Sequence, residues 1–242
     1  MAPTLLMLHG FTHTGASWDP VAAGLGGRYR VLAPDIRGHG AASDADPVTL
    51  AAVIEDVDTL ADGPFTLVGY SMGGRIALHA ALTLRSGRVR RLVLIGASPG
   101  IADPGERAAR RASDERLASE VEGLTIASFA ERWAGETAVL AGQRPEVRAA
   151  AHADRLQNTP TGLARALRGL GTGALPSLWE RLGEIKVPVT LIVGERDSKF
   201  RGIGGEMAAL LGGVVEVIVV PGAGHAVHLE APDAVATAIK RG

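Results

Sequence analysis

Three residues of this 242-residue sequence, Ser71, Asp197 and His225, are of the types that together activate an oxygen nucleophile or move a proton. A serine hydroxyl is a poor nucleophile or base at neutral pH. It needs a base within hydrogen-bond reach and an acid to orient that base. Ser71 is the centre of Gly69-Tyr70-Ser71-Met72-Gly73, which matches G-x-S-x-G. That motif carries chemistry where a strand precedes it and a helix follows. Phe65, Leu67 and Val68 read as a short buried strand, and residues 74–84 read as a helix. The two flanking glycines leave room for a tight turn that holds Ser71 in a strained conformation. Such a turn lifts the hydroxyl above the sheet and aims the N–H of Met72 at whatever Ser71 contacts.

The order serine, acid, histidine, each just past a strand, completes the pattern. Continuous apolar runs predict strands at 4–8, 29–33, 89–95, 187–193 and 214–220. Asp197 and His225 follow the last two of these. Parallel strands bring their C-terminal ends together at the edge where ligands bind. The first run stops at His9-Gly10-Phe11, which makes the N–H of Phe11 a second candidate donor to an oxyanion, beside that of Met72. Of the seven histidines, His228 competes with His225, and Glu195 competes with Asp197. His228 lies three residues after His225, on the descending loop.

Helices are predicted at 18–25 with Ser17 as its cap, at 50–60, at 200–211 and at 231–240. From 101 to 184 the strand–helix alternation gives way to charged helical segments. Breaks at Gly135, Pro145, Pro160 and Gly173 divide them into four helices. The expected organisation is a core of residues 1–100 and 185–242, with residues 101–184 folded over it as a helical lid.

Composition closes several other routes. A net charge of −1 leaves no electrostatic footprint for nucleic acid or an anionic membrane surface. There are no cysteines, which excludes disulfides, thiolate metal sites and cysteine nucleophiles. No H-E-x-x-H, no G-x-x-x-x-G-K-[ST] and no G-x-G-x-x-G after a strand is present, so neither metal nor nucleotide chemistry is indicated. No apolar run reaches the length of a membrane span, and no basic n-region opens the sequence. A cytoplasmic monomer or small homo-oligomer is expected.

Beyond the triad, the whole sequence resembles the α/β-hydrolase superfamily. More narrowly, it resembles the 2-succinyl-6-hydroxy-2,4-cyclohexadiene-1-carboxylate synthases of menaquinone biosynthesis, which eliminate pyruvate from their substrate. The stretches that carry the likeness are Leu8-His9-Gly10-Phe11, Gly69 to Arg75 (G-Y-S-M-G-G-R), Glu106-Arg107 with Arg110 and Ser113-Asp114, and Gly194 to Arg201 (G-E-R-D-S-K-F-R). The resemblance implies a mostly parallel sheet flanked by helices, no cofactor, and a small polycarboxylate substrate gripped by arginines. By motif position these are Arg75, Arg110 and Arg155, with Tyr70 and Trp133 as pocket residues. One departure is the N-terminus, where relatives carry a short strand pair before the first strand found here.

The residues themselves agree for Arg75. It lies four positions after Ser71, one turn along the same helix face. Arginine suits bidentate recognition of carboxylates, and a hydrolase of neutral esters has little use for a cation there. Two alternatives share the same residues: a carboxylesterase or C–C bond hydrolase, and a non-catalytic ligand receptor. The second has no need of Asp197.

Overall fold

The computed structural model describes residues 2–136 and 142–241. Met1, residues 137–141 and Gly242 lie outside the described residues; the first and last belong to the expected core, and the five between to the expected lid. Six strands form one all-parallel sheet in the order β2-β1-β3-β4-β5-β6. They are β1 (Thr4–Leu8), β2 (Arg30–Leu32), β3 (Phe65–Tyr70), β4 (Val89–Ile95), β5 (Val189–Gly194) and β6 (Val215–Val220). The four central strands are buried on both faces, which is why they read as continuous apolar runs rather than as alternation.

Side chains alternate across the sheet, and the alternation divides the apolar interior in two. Leu6, Leu8, Leu67, Leu92 and Leu191 face one core, which takes in Val53 and Ile54 of α2 (Leu50–Thr59), Ile76 of α3 (Met72–Thr83) and Met207 of α8 (Ser198–Leu210). Leu5, Met7, Val68, Val93 and Ile192 face the other, with Val21 of α1 (Asp19–Gly24), Val227 of α9 (Val227–Glu230), and Val235 and Ile239 of α10 (Pro232–Lys240). The opening of α1 differs from the sequence reading. Thr14 caps a 3-10 turn over Gly15–Trp18, and α1 begins from Trp18 with no side-chain cap. Ser17 is spent on that turn, its Oγ donating to the Thr14 carbonyl at 2.7 Å.

Between β4 and β5 the described chain forms no strand and four α-helices: α4 (Pro104–Glu122), α5 (Ile126–Glu136), α6 (Pro145–Arg155) and α7 (Pro160–Leu170). Proline stands in the first turn of α4, α6 and α7, where its missing N–H costs no hydrogen bond. The break between α4 and α5 falls at Gly123, and Gly135 stands in the last turn of α5 as described, one residue before Glu136. Helix α7 packs along α4. Arg168 joins the pair by gripping Glu115 and Glu122, at 2.9 and 2.6 Å. No helix among the described residues is long and apolar enough to cross a membrane.

Candidate active site

Ser71 occupies the junction of β3 and α3 with φ 50° and ψ −108°. A non-glycine residue held there stores on the order of 1–3 kcal/mol, which the surroundings must over-determine. They do so through close backbone approach. A Cβ on Gly69 would lie 2.5 Å from the Gly73 carbonyl oxygen, and one on Gly73 would lie 2.2 Å from that of Leu8. Both positions therefore require glycine. The Ser71 N–H donates to the Ile95 carbonyl at 2.9 Å, tying the turn to β4.

His225 follows β6 and Asp197 follows β5. His225 Nδ1 lies 2.6 Å from Asp197 Oδ2, and His225 Nε2 lies 3.2 Å from Ser71 Oγ. A carboxylate only accepts, so Nδ1 carries the proton and donates to Asp197. That leaves Nε2 as acceptor for the Ser71 hydroxyl. Asp197 also caps α8, its Oδ1 accepting from the Phe200 N–H at 3.3 Å. The competing residues are placed elsewhere. Glu195 accepts from the Gly222 N–H at 2.8 Å. His228 is buried against Tyr70 and Trp18, with ring centroids 4.2 and 4.9 Å away, and burial holds its pKa well below the ordinary value.

Two N–H groups are free to meet an oxyanion beside Ser71. Met72 opens α3, so no helical carbonyl accepts from it. The Phe11 N–H has no acceptor among the described residues. The residue after it, Thr12, is fully buried with φ 70°, an outlier for a β-branched side chain.

The cavity over Ser71 and His225 has a volume of about 340 Å³. Phe11, Leu117, Trp133 and Ile203 supply apolar walls, and Arg75, Arg110 and Lys199 supply positive charge. Trp133 stands edge-on to Phe11 with centroids 5.3 Å apart. Arg75 is 8% exposed, and its side chain makes no hydrogen bond or ion pair among the described residues. Burial lowers its pKa to about 10, with Arg110 adding to the effect and Asp114 opposing it. Arg110 reaches in from α4, its Nε bound to Asp114 at 2.7 Å. A larger recess of about 900 Å³ lies behind the loop of residues 13–17 and contains no triad residue. Its carboxylates are already engaged: Asp35 accepts from the Gly15 and Ala41 N–H groups, each at 2.7 Å, and Asp154 from Thr14 and His13.

Known proteins are similar to this chain over nearly its whole length. The alpha/beta hydrolase family model matches residues 5–238. A 2-succinyl-6-hydroxy-2,4-cyclohexadiene-1-carboxylate synthase from Salmonella schwarzengrund is 36% identical over 239 residues, 96% of this chain and 90% of that one. The structure of MenH from S. aureus superposes with a TM-score of 0.92 at 31% identity, covering 99% of this chain and 92% of its own. The chain belongs to the α/β-hydrolase family and, within it, to the family of these synthases. It also matches the chloroplastic protein PHYLLO of Arabidopsis thaliana, 32% identical over 98% of this chain, but it spans only 15% of that protein's length.

Within this α/β-hydrolase site, Ser71, Asp197, His225, Phe11, Met72, Arg75, Arg110 and Trp133 come together. Two of the expected pocket residues stand apart from the cavity lining. Arg155 is 1% exposed and donates from Nε to Thr12 Oγ1 at 3.2 Å. Tyr70 is buried behind the triad, 5.3 Å from the His225 ring, and burial raises its phenol pKa. Lys199 lines the cavity without having been singled out. Its signal was its place two residues after the triad acid, in the first turn of α8. Among the described residues no cluster of histidine and acidic side chains is placed to hold a metal ion.

Two buried histidines under the site give a stability prediction. His9 Nε2 accepts from the Ile36 N–H at 2.9 Å, which requires the neutral ring, and its Nδ1 pairs with the Gly10 carbonyl. Burial lowers His9 to about 4 and His39 to about 3. An unfolded histidine takes up a proton near pH 6.5, so the unfolded state binds more protons than the folded one below that pH. Stability is full above pH 6.5 and falls as the pH drops towards 4, by on the order of 1–2 kcal/mol per histidine at pH 5. Urea midpoints at pH 7.5 and pH 5 check this; equal midpoints would contradict it.

Proposed function

We propose that this chain eliminates pyruvate from 2-succinyl-5-enolpyruvyl-6-hydroxy-3-cyclohexene-1-carboxylate, giving 2-succinyl-6-hydroxy-2,4-cyclohexadiene-1-carboxylate in menaquinone biosynthesis, in the cytoplasm. The observation that carries the proposal is Arg75: a buried guanidinium without a partner among the described residues, in the same cavity as Ser71. A buried cation is costly unless paired, and the substrate brings three carboxylates. Arg110 and Lys199 widen the positive field, while Trp133 and Phe11 offer an apolar wall to the ring.

In the reaction, His225 acting through Ser71 removes the proton alpha to the succinyl carbonyl. The electron pair moves into the carbonyl, then through the ring, and breaks the bond to the enolpyruvyl oxygen. Enolpyruvate leaves and becomes pyruvate. Asp197 stabilises the imidazolium that forms on His225. The N–H groups of Phe11 and Met72 hold the enolate oxygen, a stabilisation worth ~3 kcal/mol per donor. Neither a covalent intermediate nor a water nucleophile is needed.

The test is to offer this precursor and a short-chain nitrophenyl ester in parallel. The expected result is a kcat/KM for the precursor higher by roughly 100-fold or more, as one or two desolvated charge pairs would give. A preference for the ester would favour a carboxylesterase, which the same triad would serve.

A further inference from the structure

The C-terminal end of α6 and the turn after it hold three consecutive residues of the loop that follows β1. Asn158 Nδ2 donates to the Thr12 carbonyl at 2.9 Å, and Arg155 Nε donates to Thr12 Oγ1 at 3.2 Å. Asp154 accepts from His13 Nδ1 at 2.9 Å, from the Thr14 N–H at 3.1 Å and from the Thr14 hydroxyl. Asn158 Oδ1 accepts from the Gly40 N–H at 3.1 Å, which ties the cluster to the turn after β2. Thr12, His13, Thr14, Arg155 and Asn158 are all buried.

Thr12 explains why so many bonds converge on so short a loop. A β-branched residue at φ 70° returns to the ordinary backbone region unless neighbours prevent it. Its relaxation would turn the peptide units on either side of it, and the first of these is joined through the Phe11 Cα to the unit that carries the Phe11 N–H. Within the loop one bond opposes this, from the His13 N–H to the Gly10 carbonyl at 3.1 Å, closing a turn around Phe11 and Thr12 without the glycine or asparagine that suits its positive-φ position. The remaining bonds, those made by the loop's side chains and the Thr12 carbonyl, come from 140 or more positions away in sequence, out of the helical insertion.

We infer that Asp154, Arg155 and Asn158 are positioning residues: a clamp on the insertion that fixes the Phe11 N–H where the oxyanion forms. Arg155 then acts through Thr12 and not as a carboxylate ligand, consistent with its absence from the cavity lining. The inference rests on the oxyanion role proposed for Phe11, but not on the identity of the substrate.

The clamp is tested by the split between kcat and KM on two substrates, the tricarboxylate precursor and a neutral nitrophenyl ester. Arg155→Ala and Asn158→Ala are each expected to lower kcat roughly 10-fold to 100-fold on both, as displacement of a catalytic group does, with KM changed by less than about threefold. Asp154→Asn, which keeps the shape of the side chain, serves if either alanine variant fails to fold. Glycine takes positive φ without penalty, so in a Thr12→Gly background the further loss from Arg155→Ala is expected to stay within about threefold. A loss confined to the precursor and appearing as a raised KM would overturn the clamp and make Arg155 a substrate ligand. Losses that simply multiply with Thr12→Gly would also overturn it. A protein that hydrolyses the ester and ignores the precursor would sink the elimination, and the clamp would still be read on the ester.

Discussion

Ser71→Ala, His225→Ala and Asp197→Asn are each expected to lower kcat by on the order of 10³-fold or more, and the double variants no further than the worse single. The three side chains form one continuous path, 3.2 Å from hydroxyl to imidazole and 2.6 Å from imidazole to carboxylate. Removing any member leaves the others without function, so their losses do not multiply. Asp197→Asn is informative because asparagine offers an N–H where His225 Nδ1 needs an acceptor, which flips the ring tautomer. The same change removes little from the cap of α8, since asparagine caps nearly as well as aspartate. Steady-state kcat alongside thermal melting separates the chemistry from the fold. A loss that followed His228 and spared His225 would contradict the assignment.

Arg75→Ala is expected to lower kcat/KM for the tricarboxylate precursor by roughly 30-fold to 1000-fold, from about 2–4 kcal/mol for a charge-assisted contact whose partner stays desolvated. Hydrolysis of a small neutral ester should barely change, because it offers the guanidinium nothing to hold. Arg75→Lys should recover part of the loss, keeping the charge without the fork. A pH signature accompanies the charge. Arg75 is lowered to about 10, chiefly by burial. The protonated, binding form therefore prevails below that pH and is lost as the pH rises through it. The kcat/KM for the precursor, which reports the free enzyme, should fall above about pH 10 in the wild type and lack that limb in Arg75→Ala. Equal losses on both substrates would show that Arg75 supports α3 rather than the substrate.

Much of the site was legible because of how each part is encoded. The central strands are buried on both faces, so their apolar runs stand out. Gly69 and Gly73 mark a turn in which no Cβ fits. Asp197 and His225 stand directly after such runs, and an all-parallel sheet leaves little choice about where those ends meet.

The insertion was legible as helices but not as a surface. Which face of α4 or α6 looks into the cavity depends on how the helices seat on the core. Local sequence therefore did not distinguish Arg110, which lines the cavity, from Arg155, which lies behind the loop after β1. Gly135 read as a break, and it stands exposed in the last turn of α5 as described, one residue before Glu136. The positive φ of Thr12 had no glycine to announce it. Ser17 looked like a cap by type and position, yet it lies inside a 3-10 turn that Thr14 caps while bound to Asp154, a partner 140 residues away.

The most direct test of the elimination is to identify what leaves when purified protein consumes the precursor. Elimination predicts one pyruvate per precursor, with a rise in ultraviolet absorbance as the conjugated cyclohexadiene forms, and both abolished in Ser71→Ala. Release of succinate without pyruvate would show that water had cleaved the carbon–carbon bond beside the succinyl carbonyl. That result would contradict the elimination and make the chain a hydrolase.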